Sequence, residues 1–346
     1  MQTLTIHGIQ DLHLEERPVP DLEAGEVLVR LGAGGICGSD LHYYFEGGVG
    51  DFRLREPMIL GHEVAGVVSQ VGAGVSQVKV GDSLAINPAR PCGECPYCRS
   101  GHSNLCSNVR FFGSAARFPH VQGAFAEYFK VQESQCVKVP GDIPYPVVAC
   151  AEPLAVSLHA VARAANLLGR KVLVTGCGPI GALIVAAAKL GGAAQIVVSD
   201  LHDEVLAVAE AMGASETINI TQNPARLEAL AANKGTFDVA IEASGNPKAL
   251  ETCIALTHPG GRIVQVGMLP PGPAAVMVNQ LLSKELELLG TFRFHEEFAW
   301  AVDALVKGRI DVRPLLTAQY SFKEAAAAFN LAADRKKAMK ISLVAG

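Results

Sequence analysis

Over the first 140 residues, apolar positions come in short runs broken by glycine and proline. Val27-Leu28-Val29-Arg30-Leu31 is one such run and leads into a Gly-rich turn. Residues 63–71 alternate and end in Gly72-Ala73-Gly74, and residues 78–82 read as a further edge of the same β-rich unit. Many short strands with such turns predict a barrel-like domain.

Beyond residue 150 the rhythm lengthens. A helix is expected over 155–165, a buried strand over 171–175 and a helix from Ile180. A strand over 195–199 ends at Asp200, and helix 203–212, strand 238–242, helix 247–257 and strands 262–266 and 287–291 follow. Such alternation implies a parallel sheet with helices on both faces. Residues 296–307 carry a helical apolar stripe, Ser321-Phe322-Lys323-Glu324 has the form of a capping box before an Ala-rich helix to Asp334, and 340–344 read as a last strand. No internal repeat or low-complexity linker interrupts the chain, and Pro270-Pro271-Gly272-Pro273 is a loop in its second half.

At 346 residues there is room for two domains, and 49% hydrophobic content supports a large core. Net charge is −5 and no basic run exceeds Arg335-Lys336-Lys337, which argues against a nucleic-acid partner. The longest apolar run, 182–188, is too short to span a bilayer, and residues 1–10 lack a basic segment followed by an apolar one. A cytoplasmic protein is expected, with no membrane partner.

Nine cysteines are many for that compartment, where disulfides are rare. Four of them, Cys92, Cys95, Cys98 and Cys106, have the spacing C-x2-C-x2-C-x7-C. Four thiolates without an open position suit a structural tetrahedral zinc. An iron–sulfur cluster is the lesser alternative, because the ferredoxin run places its fourth Cys sooner and follows it with Pro.

A second concentration of chemistry lies at Gly34-Gly35-Ile36-Cys37-Gly38-Ser39-Asp40-Leu41-His42-Tyr43-Tyr44, followed by Gly61-His62-Glu63. Cys37 and His62 are zinc-ligand types, and an enzyme zinc keeps one position open. Ser39, two residues after the Cys, is placed to start a proton path; the alternative is a buried Cys and a satisfied core His. Glu152, between Ala151 and Pro153, is either a metal ligand or a charge at a helix N-terminus. The phenylalanines between 110 and 125 either wall a substrate pocket or fill a core.

Gly176-Cys177-Gly178-Pro179-Ile180-Gly181 follows a strand and opens a helix, the context a dinucleotide fingerprint needs. Gly176 allows the tight turn, Gly178 the approach of a pyrophosphate and Gly181 close packing of helix on strand. Pro179 and Ile180 stand at the helix start, where phosphate charge is favoured. Asp200 is placed for a ribose diol, and no Arg follows it closely, so NAD is favoured over NADP. Gly245, Gly267 and Gly290 sit near strand ends, where open α/β sheets bind ligands.

The order of these motifs resembles the zinc-containing medium-chain dehydrogenases, over essentially the whole chain. The resemblance implies an α/β protein: a Rossmann doubly wound parallel sheet plus a GroES-like β-barrel catalytic domain. The catalytic domain would occupy 1–155 and 295–346, with a zinc lobe at about 88–110, and the NAD-binding domain 156–294. One catalytic zinc would be held by Cys37, His62 and either Glu63 or Glu152, and one structural zinc by Cys92, Cys95, Cys98 and Cys106.

Residues 35–43, Glu152-Pro153-Leu154 and Gly290-Thr291-Phe292-Arg293 are similar to the polyol (sorbitol) dehydrogenase branch. Glu152 stands where the alcohol dehydrogenases have a second Cys. Ala85-Ile86-Asn87-Pro88, the segments 110–115 and 118–121, and Val264-Gln265-Val266-Gly267-Met268 are similar to a subgroup acting on a sugar acid. The implied reaction oxidises a secondary alcohol to a ketone with hydride transfer to NAD. Ser39, His42 and Glu152 would be catalytic, although His42 could equally be a structural His near the cofactor. Tyr43, Phe112 and Arg293, with Ser39 and Glu152, would meet a sugar acid or polyol. Val266, Gly267, Phe292 and Arg293 would join the glycine turn in binding cofactor, and the assembly would be a homo-oligomer, dimer or tetramer. Two other readings compete: a non-catalytic zinc-stabilised dinucleotide sensor, and a metal-free quinone reductase of the same fold.

Overall fold

The structure, a computed structural model, describes residues 1–345. Its contacts divide it into two compact units. One comprises Met1–Glu152, Phe298–Gly308 and the chain from Leu316 on; the other comprises Pro153–Glu297 and Arg309–Leu315.

The first unit is built around the strand Glu26–Gly35, whose β-branched and aliphatic residues are buried along most of its length. One edge pairs antiparallel with Glu63–Val71, from Val27 opposite Val71 to Gly35 opposite Glu63. The other edge is shared. Tyr128–Gln132 covers residues 26–30, while Leu343 and Ser342 of the strand Lys340–Val344 lie opposite Gly34 and Gly35. Ser83–Ile86, Cys136–Val139 and Leu316–Ser321 complete seven strands. Val29, Leu31, Phe125, Phe129, Phe322 and Phe329 are among the core residues.

Two features depart from the sequence pattern. Residues 78–82 form no strand: Gly81 takes φ +91° and donates its N–H to Val68 O, while Val80 is 61% exposed, so the segment is a turn. The helix Gly38–Glu46 also lies outside the expected pattern. Its start is fixed by Asp40, whose Oδ2 accepts the Cys37 N–H at 3.0 Å. Its end is fixed by Gly47, whose left-handed conformation returns the N–H to His42 O and Tyr43 O.

The second unit is a six-stranded parallel sheet in the order Glu216–Asn219, Gln195–Asp200, Lys171–Thr175, Phe237–Glu242, Thr257–Gln265, Glu287–Gly290. The chain reverses direction across the sheet on either side of Lys171–Thr175, which creates a crevice at the carboxyl ends of those strands. The strand expected at 262 begins at Thr257. Its Pro259-Gly260-Gly261 reads as a turn, yet a register shift lets the strand absorb it. Tyr145–Arg163 is long and apolar enough to cross a membrane by length and composition, but 67% of its most apolar stretch is buried inside the protein, as in a core helix.

Candidate metal centre and dinucleotide turn

Strand register brings the first cluster together. Cys37 follows the end of Glu26–Gly35, and Glu63 begins the partner strand directly opposite Gly35. Gly61, at φ +92°, turns the chain into His62 against the Phe125 ring, where a Cβ would stand 2.3 Å from that ring. One ligand atom each from Cys37, His62 and Glu63 then lies within 4.8 Å of the others. His62 and Glu63 are 5% and 1% exposed.

Asp40 ties the two segments. It is fully buried, its Oδ1 accepts the Gly61 N–H at 3.2 Å, and that oxygen stands 3.9 Å from His62 Nδ1. Lys340, from the far end of the chain, donates to both Glu63 oxygens at 2.8 and 2.7 Å and to Ile36 O at 3.2 Å. Glu152 is buried in the first turn of Ala151–Arg163. It lies outside the 4.8 Å cluster, but its charge reaches Cys37.

Burial, then Glu63, Asp40 and Glu152, push the Cys37 thiol well above its ordinary range, with Lys340 opposing. Burial also raises the Asp40 carboxyl, against the pull of His62 and the N–H groups of Cys37 and Gly61. For Lys340 burial disfavours the charge, but Glu63, Cys37 and Cys150 outweigh it and hold the ammonium protonated. His62 Nδ1 is buried with no hydrogen-bond partner among the described residues. A half-buried thiol beside a buried imidazole and carboxylate, drawn together against such costs, fits a divalent cation.

Of the other expected site residues in this unit, Ser39 is half-buried and His42 is exposed, with Nδ1 2.9 Å from Glu46 Oε1. Tyr43 is 2% exposed in the core, its hydroxyl accepting the Ala115 N–H at 2.9 Å. Phe111 ends the short strand Arg110–Phe111 and Phe112 opens the turn after it, and their rings have different neighbours. The Phe111 ring is 5.5 Å from His62. Phe112 packs edge-on against Phe129 and lines a separate cavity of about 100 Å³ with Arg90, Arg110 and Lys130. Arg117 donates to Val109 O and Ser107 O, bracing a loop. Phe111 is among the phenylalanines expected to wall a pocket or fill a core, whereas Asp40 and Lys340 are site neighbours to which sequence reasoning gave no role. The capping relation of Asp40 to Cys37 was the one signal available, while nothing local marks Lys340.

The second cluster forms a lobe between the paired strands Ala89–Arg90 and Arg110–Phe111. The sulfurs of Cys92, Cys95, Cys98 and Cys106 all lie within 4.8 Å of one another, and Cys92 and Cys106 are 3.5 Å apart. Ligands 2.3 Å from a tetrahedral zinc sit about 3.8 Å from each other, so the set fits. Backbone N–H groups assist: that of Glu94 leads those lowering Cys92, and that of Cys98 leads those lowering Cys95 to about 5. Burial and the neighbouring thiols push Cys98 up to about 12.

In the second unit, Gly176 takes φ +85°, and a Cβ there would stand 2.6 Å from Ser244 Cβ. Gly178 is the N-cap and Pro179 the first residue of the helix Pro179–Leu190, which leaves its first amides without intrahelical acceptors. Ile180 and Gly181 continue that first turn, and a Cβ at Gly181 would lie 2.0 Å from Gly176 O. Asp200 ends the next strand, with Oδ2 accepting the Cys177 N–H at 2.7 Å and Oδ1 the Leu201 N–H at 2.6 Å. Glycines that no side chain could replace, beside a helix start and an acid, fit a dinucleotide.

Val266 and Gly267 donate their N–H groups to Glu242 O. The Glu242 carboxylate, which sequence reasoning did not single out, is fully buried and accepts the Ser244 N–H at 2.7 Å and the Gly245 N–H at 3.1 Å. It thereby shapes the loop at that strand end. Phe292 is half exposed, and the Arg293 guanidinium lies 4.9 Å from the centre of its ring.

Residues 23–141 match the alcohol dehydrogenase GroES-like domain family and residues 179–307 the zinc-binding dehydrogenase family. The chain is 43% identical over 343 residues to L-idonate 5-dehydrogenase (NAD(P)(+)) of Escherichia coli, covering 99% of this chain and 98% of that one. It is 37% identical to sorbitol dehydrogenase of Bacillus subtilis, covering 94% and 91%. The crystal structure of L-idonate 5-dehydrogenase from Escherichia coli superposes with a TM-score of 0.95 at 42% identity, covering 99% and 97%. That of 2R,3R-butanediol dehydrogenase from Bacillus subtilis does so at 0.89 and 30% identity, covering 100% and 99%.

Proposed function

The chain belongs to the zinc-binding dehydrogenase family, with its GroES-like domain, and on that premise we propose that it oxidises L-idonate to 5-keto-D-gluconate with NAD. The observation that carries this reading is the convergence of Cys37, His62 and Glu63, in a chain 43% identical over 99% of its length to an L-idonate 5-dehydrogenase. Identity of 37% to a sorbitol dehydrogenase supports a second reading, oxidation of sorbitol, L-iditol or xylitol.

Cys37 and His62 would hold the catalytic zinc, with Glu63 or Glu152 as the third protein ligand. Cys92, Cys95, Cys98 and Cys106 would hold a second, structural zinc. Zinc at the catalytic centre would supply Lewis-acid polarisation of the substrate hydroxyl. A dinucleotide at the glycine turn supplies the hydride acceptor. Ser39 takes the alcohol proton. His42, three residues on, lies on the same face of the helix Gly38–Glu46 and is open to solvent, so it can release that proton to water. The carboxylate of Asp200 favours a free ribose diol and repels a 2′-phosphate, which supports NAD over NADP.

A homo-oligomer, dimer or tetramer, is part of this proposal. Glu287–Gly290 is an edge strand of the parallel sheet, with Leu288 38% exposed. Val278 and Leu282 of the preceding helix are 63% and 75% exposed. An open edge beside apolar side chains suits pairing with a second copy. Light scattering on purified protein tests it, and a monomer would reject it. A cytoplasmic location belongs to the same reading.

The deciding assay follows NADH formation with L-idonate, gluconates, sorbitol, xylitol and simple alcohols, alongside zinc analysis. Activity on L-idonate with two zincs per chain supports the proposal. Activity on sorbitol but not on sugar acids replaces the substrate and keeps the mechanism. One zinc and no activity points to a dinucleotide sensor.

A further inference from the structure

Lys340 is 3% exposed and Glu63 1%. A lysine buried this deeply is uncommon unless it is paired. Its ammonium donates to both carboxylate oxygens of Glu63 and to Ile36 O, which satisfies its three donors. The strand Lys340–Val344 supplies it, and the Ile36 N–H donates to Ile341 O, so the lysine enters along the backbone that leads to Cys37. Glu63 is also one of the three residues whose donor atoms converge within 4.8 Å. One carboxylate therefore faces a fixed internal cation and the metal position together.

We propose that Lys340 is a positioning residue that competes with the catalytic metal for the charge of Glu63 and so sets how tightly Glu63 holds the ion. This rests on the metal reading above. A carboxylate shared with an ammonium donates less to a neighbouring cation than a free one. A bidentate, buried ion pair also fixes where its oxygens lie. Lys340 thereby keeps Glu63 a weak, releasable ligand, leaving the ion able to accept a substrate oxygen.

The test measures zinc affinity by chelator competition and visible spectra of cobalt-substituted whole protein, for wild type, K340M, E63Q and E63Q/K340M. Removing only Lys340 leaves a buried uncompensated carboxylate. The double variant removes both charges and keeps the comparison readable should K340M fold poorly. The expected result is zinc held about tenfold or more tightly in K340M, with an altered cobalt spectrum. E63Q and E63Q/K340M should then match each other in both measurements. Should K340M itself fail to fold, any difference between E63Q and E63Q/K340M overturns the inference, and a match upholds action through Glu63. Unchanged or weaker zinc binding in K340M, or the same effect of K340M in the E63Q background, overturns it. Wild type that binds zinc only at the four cysteines overturns the metal reading instead.

Discussion

At Gly35 a Cβ would stand 2.3 Å from Glu63 Oε2. The carboxylate has no room to retreat, because Lys340 holds both its oxygens. Gly35→Ala is therefore expected to weaken zinc binding at the catalytic centre while the four-cysteine zinc stays, and to cost about 1–3 kcal/mol of stability. Metal analysis and thermal unfolding check both. Ser39 is a different case, since it is half-buried and its hydroxyl is not a zinc-ligand type. Ser39→Ala should leave both zincs in place and lower kcat by about a hundredfold or more, the range of a lost proton-transfer group. Unchanged turnover would remove Ser39 from the proton path.

Elements are held by a few ties that join their ends. Asp238, in the strand Phe237–Glu242, accepts the Lys171 N–H and the Arg170 guanidinium at 2.8 Å, so it joins the beginnings of two neighbouring strands. Burial works against its charge, but these donors and His258 prevail and hold its carboxyl below the usual range. A depressed carboxylate stabilises the fold above its unfolded pKa, and that stability is lost as pH falls through the folded value. Asp238→Asn should lower stability by about 1–2 kcal/mol near neutral pH. The gap to wild type should close below about pH 4, as followed by urea unfolding across pH. The lobe between Ala89–Arg90 and Arg110–Phe111 depends on its sulfurs more than on packing. Cys95→Ser should reduce bound zinc from two to one per chain and open residues 91–109 to proteolysis and hydrogen exchange.

On the scale of the whole molecule, the first unit is assembled from both ends of the chain. Leu316–Ser321 and Lys340–Val344 are strands of its main sheet, and Phe322, Phe329, Ile341 and Leu343 lie in its core. Ending the chain after Leu315 would leave Gly34 and Gly35 without their partners Leu343 and Ser342 and Glu63 without its cation. Such a protein is expected to lose cooperative unfolding of the first unit. The parallel sheet, whose strands all precede the cut, should keep its exchange protection. Hydrogen exchange resolved along the chain checks this.

What is encoded locally could be read from the residues alone. The strand Lys171–Thr175, the glycine turn with its following helix, the helix Asp203–Met212 and the strand Lys340–Val344 follow from periodicity and capping within a dozen residues. The same holds for the four cysteines, whose spacing alone confines their sulfurs. Short or weakly apolar pieces escaped: the strand Glu216–Asn219 and the helices Pro224–Ala231 and Val278–Lys284 carry too little pattern. What the tertiary structure alone decided is which distant groups meet. Glu63 finds Lys340, 277 positions away, and Asp40 bridges to Gly61. Of two adjacent phenylalanines, it is Phe111 whose ring lies near His62. A buried charge takes whatever partner strand pairing delivers to it, and that pairing is settled by the register of a whole sheet, which no local stretch of residues contains.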